Sequence, residues 1–275
     1  MKEALSHAIE RWKLDDMEVI YEQSAKCVYS AGSKEFGPVI LKADQDKLRL
    51  QSEYRMLVRL SGHDSCKVYA FDESDGILLE ERIIPGTVLR SEVSLEKRIQ
   101  AFLRVFHEIH VPERSGTTYL NWLEQIYAYC AGHQGAEEMA ARAHRICKEI
   151  FEKYPDRVLL HGDLHHDNLL QRRDGSYAII DPKGVVGPAI LDMPRFMLNE
   201  LDTAHSCPHE QHVEEVIRLL GEKTAYPAGD LRKLFYMETV LDNVWCMEDG
   251  EEMNRQEMEL AASVYARAVK PVAGS

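Results

Sequence analysis

The sequence predicts an α+β chain in two parts, a β-rich N-terminal lobe over residues 1–84 and a mainly helical C-terminal lobe over residues 85–275. Three patterns predict it. Before residue 84, short β-type runs separated by turn residues surround a single stretch of helical period. From residue 94 onward, apolar residues recur every three or four positions through most of the chain. One short hairpin breaks that helical region and carries the densest polar cluster in the sequence.

The elements follow in order. Residues 1–14 set Glu3, His7, Glu10, Arg11 and Lys13 among apolar residues, the pattern of an amphipathic helix and not of a signal peptide. Strands are expected at 17–24 and 26–31, then a turn over 32–37. The apolar run Pro38-Val39-Ile40-Leu41 ends in Lys42. Residues 47–60 read as a helix with Leu50, Tyr54, Leu57 and Leu60 on one face. Strands at 67–71 and 76–81 flank Asp72-Glu73-Ser74-Asp75, and Pro85-Gly86 ends the pattern. Ser94 can cap a helix whose Ile99, Leu103, Phe106 and His110 share a face. Further helices are expected at 118–131, 136–153, 190–201, 210–220, 230–248 and 251–269. Between them, Val158-Leu159-Leu160 runs into the polar cluster. Residues 168–171 and 177–180 then flank Asp174-Gly175, a hairpin turn signal.

Composition narrows the class. Hydrophobic residues make up 45% and charged residues 29% of 275, enough apolar material for a sizeable core. No apolar run approaches the roughly 20 residues of a membrane helix, so a cytoplasmic protein with no membrane partner is expected. The net charge of −13 repels phosphate backbones, which argues against nucleic acid as a partner; the same acidity either attracts small cationic molecules or serves solubility alone. The six cysteines, Cys27, Cys66, Cys130, Cys147, Cys207 and Cys246, are scattered without a CxxC pair. That spacing argues for free thiols and against a zinc site built from them. No oligomeric state follows.

The chemistry concentrates in His161-Gly162-Asp163-Leu164-His165-His166-Asp167-Asn168 and in Ile179-Ile180-Asp181-Pro182-Lys183-Gly184. Phosphoryl transfer needs a carboxylate to receive the acceptor's proton and hard oxygen ligands for Mg²⁺. Asp163 lies five positions before Asn168, so one tight loop can present both. The hairpin folds Asp181 back beside Asn168. Asp163 is the candidate catalytic carboxylate, and Asn168 and Asp181 are the candidate metal ligands. Asp and Asn also favour turns for their own sake; the spacing of all three is what carries the argument. His161 reads as a loop-orienting residue, and His165 and His166 as ligand contacts or solvent-facing groups. Two other readings exist. The cluster of His161, Asp163, His165 and His166 has the ligand types of a metal-dependent hydrolase, and the same groups could hold nucleotide without turnover. Trp12, Trp122 and Trp245 read as packing residues. The acids Glu238, Asp242, Glu248, Asp249, Glu251 and Glu252 are a solvated face or a pocket for ammonium groups.

These two segments resemble the catalytic and metal loops of protein-kinase-like enzymes, H-x-D-x-x-x-x-N followed by the metal aspartate. HGDLHHDN together with IDPKG is most similar to the aminoglycoside phosphotransferase family, nearest its streptomycin 6-kinase and hydroxyurea-resistance kinase branch. The resemblance implies a two-lobed protein-kinase-like fold. It also implies ATP as co-substrate, with GTP left open, Mg²⁺ as cofactor, and phosphorylation of a hydroxyl on a small cationic molecule such as an aminoglycoside. It implies that Lys42, paired with Glu53, holds the α- and β-phosphates. It puts adenine against main-chain groups from Glu81 to Ile83, and implies that Asp192 braces the metal loop. The sequence departs from the kinase pattern twice. Residues 22–26 contain no glycine, which leaves Ser24 and nearby backbone N–H groups to cradle phosphate. Pro182 replaces the usual Phe, which stiffens the metal loop and argues against a swinging activation segment.

Overall fold

A computed structural model describes residues 2–60, 64–133 and 135–269. Helix α1 (Lys2–Trp12) leads directly into strand β1 (Leu14–Glu22), which starts three residues earlier than its β-type run suggests. β2 (Lys26–Ser33) and β3 (Gly37–Asp44) follow, then α2 (Lys47–Arg59), β4 (Val68–Asp72) and β5 (Ile77–Glu81). The strands form one antiparallel sheet in the order β1-β2-β3-β5-β4. Val39, Leu41, Ala43, Ile77 and Leu79 turn one face of β3 and β5 into a small core with Ala8 of α1 and Leu14. On the opposite face, Leu50 and Leu57 of α2 pack with Leu78, Cys66 and Ile83. Each such aliphatic side chain gains about 1.5–3 kcal/mol of transfer free energy, which fixes α2 across the sheet. Asp46 caps that helix by accepting from the Arg49 amide at 3.1 Å.

The rest is mainly helical. It comprises α3 (Leu95–Glu108), α4 (Tyr119–Tyr129), α5 (Ala136–Lys153), α6 (Met193–Asn199), α7 (His209–Thr224), α8 (Ala228–Glu248) and α9 (Arg255–Val269). Ser94 caps α3 as expected, and Thr118 with Asn121 forms a capping box on α4. α8 is buried around most of its circumference, and α5, α6 and α9 pack against it. The helix expected over 190–201 is shorter, with one-turn 3-10 segments on either side of α6.

Two small sheets lie between the helices. β7 (Val158–Leu160) pairs with β10 (Val185–Gly187), while β6 (Pro85–Val88), β8 (Leu169–Arg172) and β9 (Tyr177–Ile179) form a three-stranded sheet. The turn at Asp174-Gly175 joins β8 to β9 as its sequence indicates. Pro85-Gly86, expected to end the β pattern, instead opens an edge strand, a position where proline loses no ladder hydrogen bond. This second sheet is tied to the N-terminal region. The Cys66 amide donates to the Ile179 carbonyl at 3.1 Å, and Arg172 of β8 grips Glu81 at 2.7 Å. No helix among the described residues is long and apolar enough to cross a membrane.

Candidate active site

The loop between β7 and β8 carries Asp163 and Asn168, and the loop after β9 carries Asp181. The three meet below the β1–β2 turn. Asn168 Nδ2 donates to the Asp163 carbonyl at 2.9 Å and lies 3.4 Å from Asp163 Oδ2, so the two side chains share one loop face. Lys183 Nζ bridges the carboxylates, 2.9 Å from Asp181 Oδ2 and 3.3 Å from Asp163 Oδ2. Asp181 adopts the left-handed backbone conformation, φ 57°, which costs a non-glycine residue about 1–2 kcal/mol. Aspartate tolerates it better than most residues, and such local strain concentrates at functional sites.

Buried donors hold this geometry. Asp192, at the start of α6, accepts from the backbone N–H of His161 at 2.9 Å, from that of Gly162 at 2.7 Å, and from His110 Nε2 at 2.9 Å. His110 lies beyond the end of α3 rather than on its face. His161 uses both ring nitrogens within the loop: Nε2 donates to the Ile180 carbonyl at 3.0 Å, and Nδ1 accepts from the Asp163 amide at 3.2 Å. Burial keeps its pKa below the ordinary histidine value, so the ring is neutral. Gly162 has φ +76°, and a Cβ there would meet the Trp122 ring at 2.9 Å and Val185 at 3.0 Å. Only glycine lets the loop turn so close to that wall.

Lys42 is buried at the centre of an acidic set. Its Nζ lies 2.5 Å from Glu53 Oε1, 2.9 Å from Glu80 Oε1 and 3.7 Å from Asp181 Oδ1. Burial alone would lower its pKa; the carboxylates outweigh that and hold it well above the ordinary lysine value. Burial raises the Glu53 carboxyl, with Lys42 pulling against it. At Asp181 burial raises and the three lysines Lys42, Lys183 and Lys26 lower, and the lysines win. Burial likewise pushes Asp163 up, but Lys183 and Arg195 more than reverse it, so the carboxylate is ionised.

Three neighbours of this centre, Lys26, Glu80 and Arg195, carried no signal in the sequence. Lys26, the first residue of β2, sits 3.6 Å from Asp181 Oδ1. Ser24 lies in the exposed turn just before it, with its carbonyl bonded to Gln45 Nε2 at 3.0 Å. Glu80 gives Lys42 its second carboxylate, a role hidden in an apolar strand. Arg195 of α6 donates through Nε to Asp163 Oδ1 at 3.0 Å and through Nη1 to Glu238 and Asp242 of α8. Those two acids thus come to the catalytic loop, whereas Glu248, Asp249, Glu251 and Glu252 are exposed away from it. The Glu81 side chain is taken up by Arg172 and the Lys67 amide, and Ile83 is buried between the two regions. Trp122 and Trp245 pack edge to face at 5.4 Å, and Trp12 joins the N-terminal core.

The histidine-rich cluster does not converge on one metal. His166 turns away from Asp163, stacks on Phe196 at 4.4 Å and donates to Glu200 at 2.7 Å, while His161 is spent inside the loop. A hydrolase built on this cluster is therefore not favoured. What remains is a pair of oxygen-bearing side chains suited to Mg²⁺. Asn168 spends its amide nitrogen on the Asp163 carbonyl and keeps its oxygen as a hard ligand. Lysines keep the Asp181 carboxylate ionised, and an ionised carboxylate is a hard oxygen ligand for a divalent ion.

The fold is of the protein-kinase-like class, and the site gathers the side-chain types that phosphoryl transfer needs. Comparison with known proteins agrees. A family model described as aminoglycoside/hydroxyurea antibiotic resistance kinase matches residues 11–250, and the chain belongs to that family. The streptomycin 3''-kinase of Klebsiella pneumoniae is 26% identical over 157 residues, covering 54% of this chain and 56% of that protein. The chain therefore matches about half the length of that relative. Among solved structures, the choline kinase LicA of Streptococcus pneumoniae has a TM-score of 0.69 at 17% identity, over 98% of this chain and 97% of that one. The aminoglycoside phosphotransferase APH(4)-Ia, in a ternary complex with ADP and hygromycin B, has a TM-score of 0.65 at 16% identity, over 98% and 99%. At these identities the structural likeness shows the fold.

Proposed function

We propose that this chain transfers the γ-phosphate of ATP to a hydroxyl of a small cationic molecule, an aminoglycoside-like antibiotic or a related metabolite. The observation that supports it most directly is the convergence of Asp163, Asn168 and Asp181 beside the buried Lys42. Asp163, ionised and held by Asn168 and Arg195, accepts the hydrogen bond of the substrate hydroxyl and orients its oxygen. That oxygen attacks the γ-phosphorus, the bond from phosphorus to the β–γ bridging oxygen breaks, and the hydroxyl proton passes to Asp163. Lys42 neutralises the α- and β-phosphates, and its ties to Glu53 and Glu80 fix where its ammonium points. Lys26, next to Ser24 in the glycine-free turn, adds a second cation where the phosphates enter. Asn168 and Asp181 would hold Mg²⁺, which supplies charge neutralisation across the phosphates. Adenine rests against main-chain groups between Glu81 and Ile83.

Membership of a family of antibiotic kinases supports a small-molecule acceptor. Glu238 and Asp242 beside Asp163 support a cationic one. ATP as donor fits the cytoplasmic location expected from composition. The test is a screen of aminoglycosides, amino alcohols and sugars with ATP and with GTP, in which products are identified by a mass gain of one phosphate. A cationic acceptor should be phosphorylated with Mg²⁺ present. Tight nucleotide binding with no acceptor modified would favour a nucleotide-binding protein without turnover.

A further inference from the structure

Away from the cleft, the chain runs through His205-Ser206-Cys207-Pro208-His209-Glu210-Gln211-His212, from the loop after α6 into the first turn of α7. His205, Cys207 and His212 each bring one ligand atom within 4.8 Å of the other two. We propose that these three side chains form a binding site for a divalent transition metal of the zinc class. The donor set is one thiolate and two imidazoles, which suits a borderline-soft ion and not Mg²⁺ or Ca²⁺.

The hydrogen bonds around the site support this more than proximity does. His212 Nε2 donates to Glu200 Oε2 at 3.0 Å, and His205 Nδ1 donates to the Cys207 carbonyl at 2.8 Å. Each imidazole therefore has one nitrogen fixed by an acceptor, and the other, Nδ1 of His212 and Nε2 of His205, carries the lone pair. Metal-bound histidines regularly have such a second acceptor, which sets tautomer and ring direction. His212 and Glu200 are buried, so one ligand is rigidly placed, while His205 and Cys207 are part-exposed and can adjust. The His205 and His212 rings stack in parallel at 4.3 Å, so the part-exposed His205 ring must turn for both lone pairs to reach one ion. The His209 ring, 5.0 Å from that of His205, or a water, completes a four-coordinate shell. The scattered cysteines argue against a zinc site of cysteines alone; this one takes a single cysteine and draws the rest from histidine.

The site has a route to the catalytic loop. Glu200 also accepts from His166, between Asp163 and Asn168, and from Arg98 of α3. Metal binding replaces the Cys207 thiol proton, so it releases that proton and tightens as pH rises.

The test is Co²⁺ and Zn²⁺ titration of the full chain, with excess Mg²⁺ keeping the catalytic carboxylates occupied. The expected result is one equivalent of Co²⁺ bound with a thiolate-to-cobalt charge-transfer band, displaced by Zn²⁺. Cys207→Ser abolishes the band, His205→Ala weakens binding at least about tenfold, and Cys246→Ser, at the other part-exposed cysteine, changes neither. Absence of the band in the wild type, or Co²⁺ affinity undiminished in both Cys207→Ser and His205→Ala, would overturn the proposal.

Discussion

Asp163 is largely enclosed yet ionised because two cations, Lys183 and Arg195, flank it. Arg195 in turn is matched by Glu238, whose carboxyl burial pushes up to about 7, with Arg195 and a hydrogen bond from Tyr119 pulling against that. The folded chain therefore holds the Glu238 proton better than the unfolded chain does. That stabilisation is full at low pH and is lost as pH rises from about 4.5 to about 7. Glu238→Gln has no proton to lose. Its stability relative to wild type should climb across that window by on the order of 2–3 kcal/mol and then level off, as read from urea unfolding at matched pH. A difference that stays flat with pH would mean that burial does not keep the carboxyl protonated. Single residues also mark how far the sequence could be read. Asp163, Asn168 and Asp181 were legible because one loop and one hairpin, both local, bring them together. Arg195 and Lys26 were not, because each reaches the centre only through the packing of α6 on α8 or of the N-terminal sheet over the loops; Glu238 was readable as a pocket acid but not as a partner of Arg195.

At the level of elements, the catalytic loop is held from outside by the first turn of α6. Asp192 satisfies two backbone amides and His110 in a space closed to water. An unpaired buried donor costs about 1–3 kcal/mol. Asp192→Ala should therefore lower stability by roughly 3–5 kcal/mol and reduce turnover with it. Loss of less than about 1 kcal/mol in a denaturant titration would mean that the loop holds its own shape. Long elements were readable because their periods repeat: α3, α5 and α8 begin within two residues of where the pattern puts them. β6 and β10 were not, since strands of three or four residues that include glycine, and in β6 proline as well, show no alternation to detect. They form because partners distant in sequence, β8 and β7, supply the ladder.

Across the whole molecule, the candidate site lies where the N-terminal sheet meets the helical region. Lys42 and Lys26 come from one side, and Asp181, Asp163 and Lys183 from the other. That arrangement suits a nucleotide held between the two regions with the acceptor presented over Asp163. The net charge of −13 gives the molecule as a whole a field that draws cations. With ATP and Mg²⁺ saturating, kcat/KM for a polycationic acceptor should fall several-fold as salt is raised from about 0.05 to about 0.5 M. An uncharged acceptor of similar size should change little, and equal sensitivity of both would remove charge from the account of specificity. The central claim is that Asp163 receives the acceptor's proton while the nucleotide is held by other groups. Its most direct test is single-turnover phosphoryl transfer by Asp163→Asn beside an independent measure of ATP affinity. Turnover should drop by roughly 10²- to 10⁴-fold with ATP affinity little changed; transfer at the wild-type rate would contradict it.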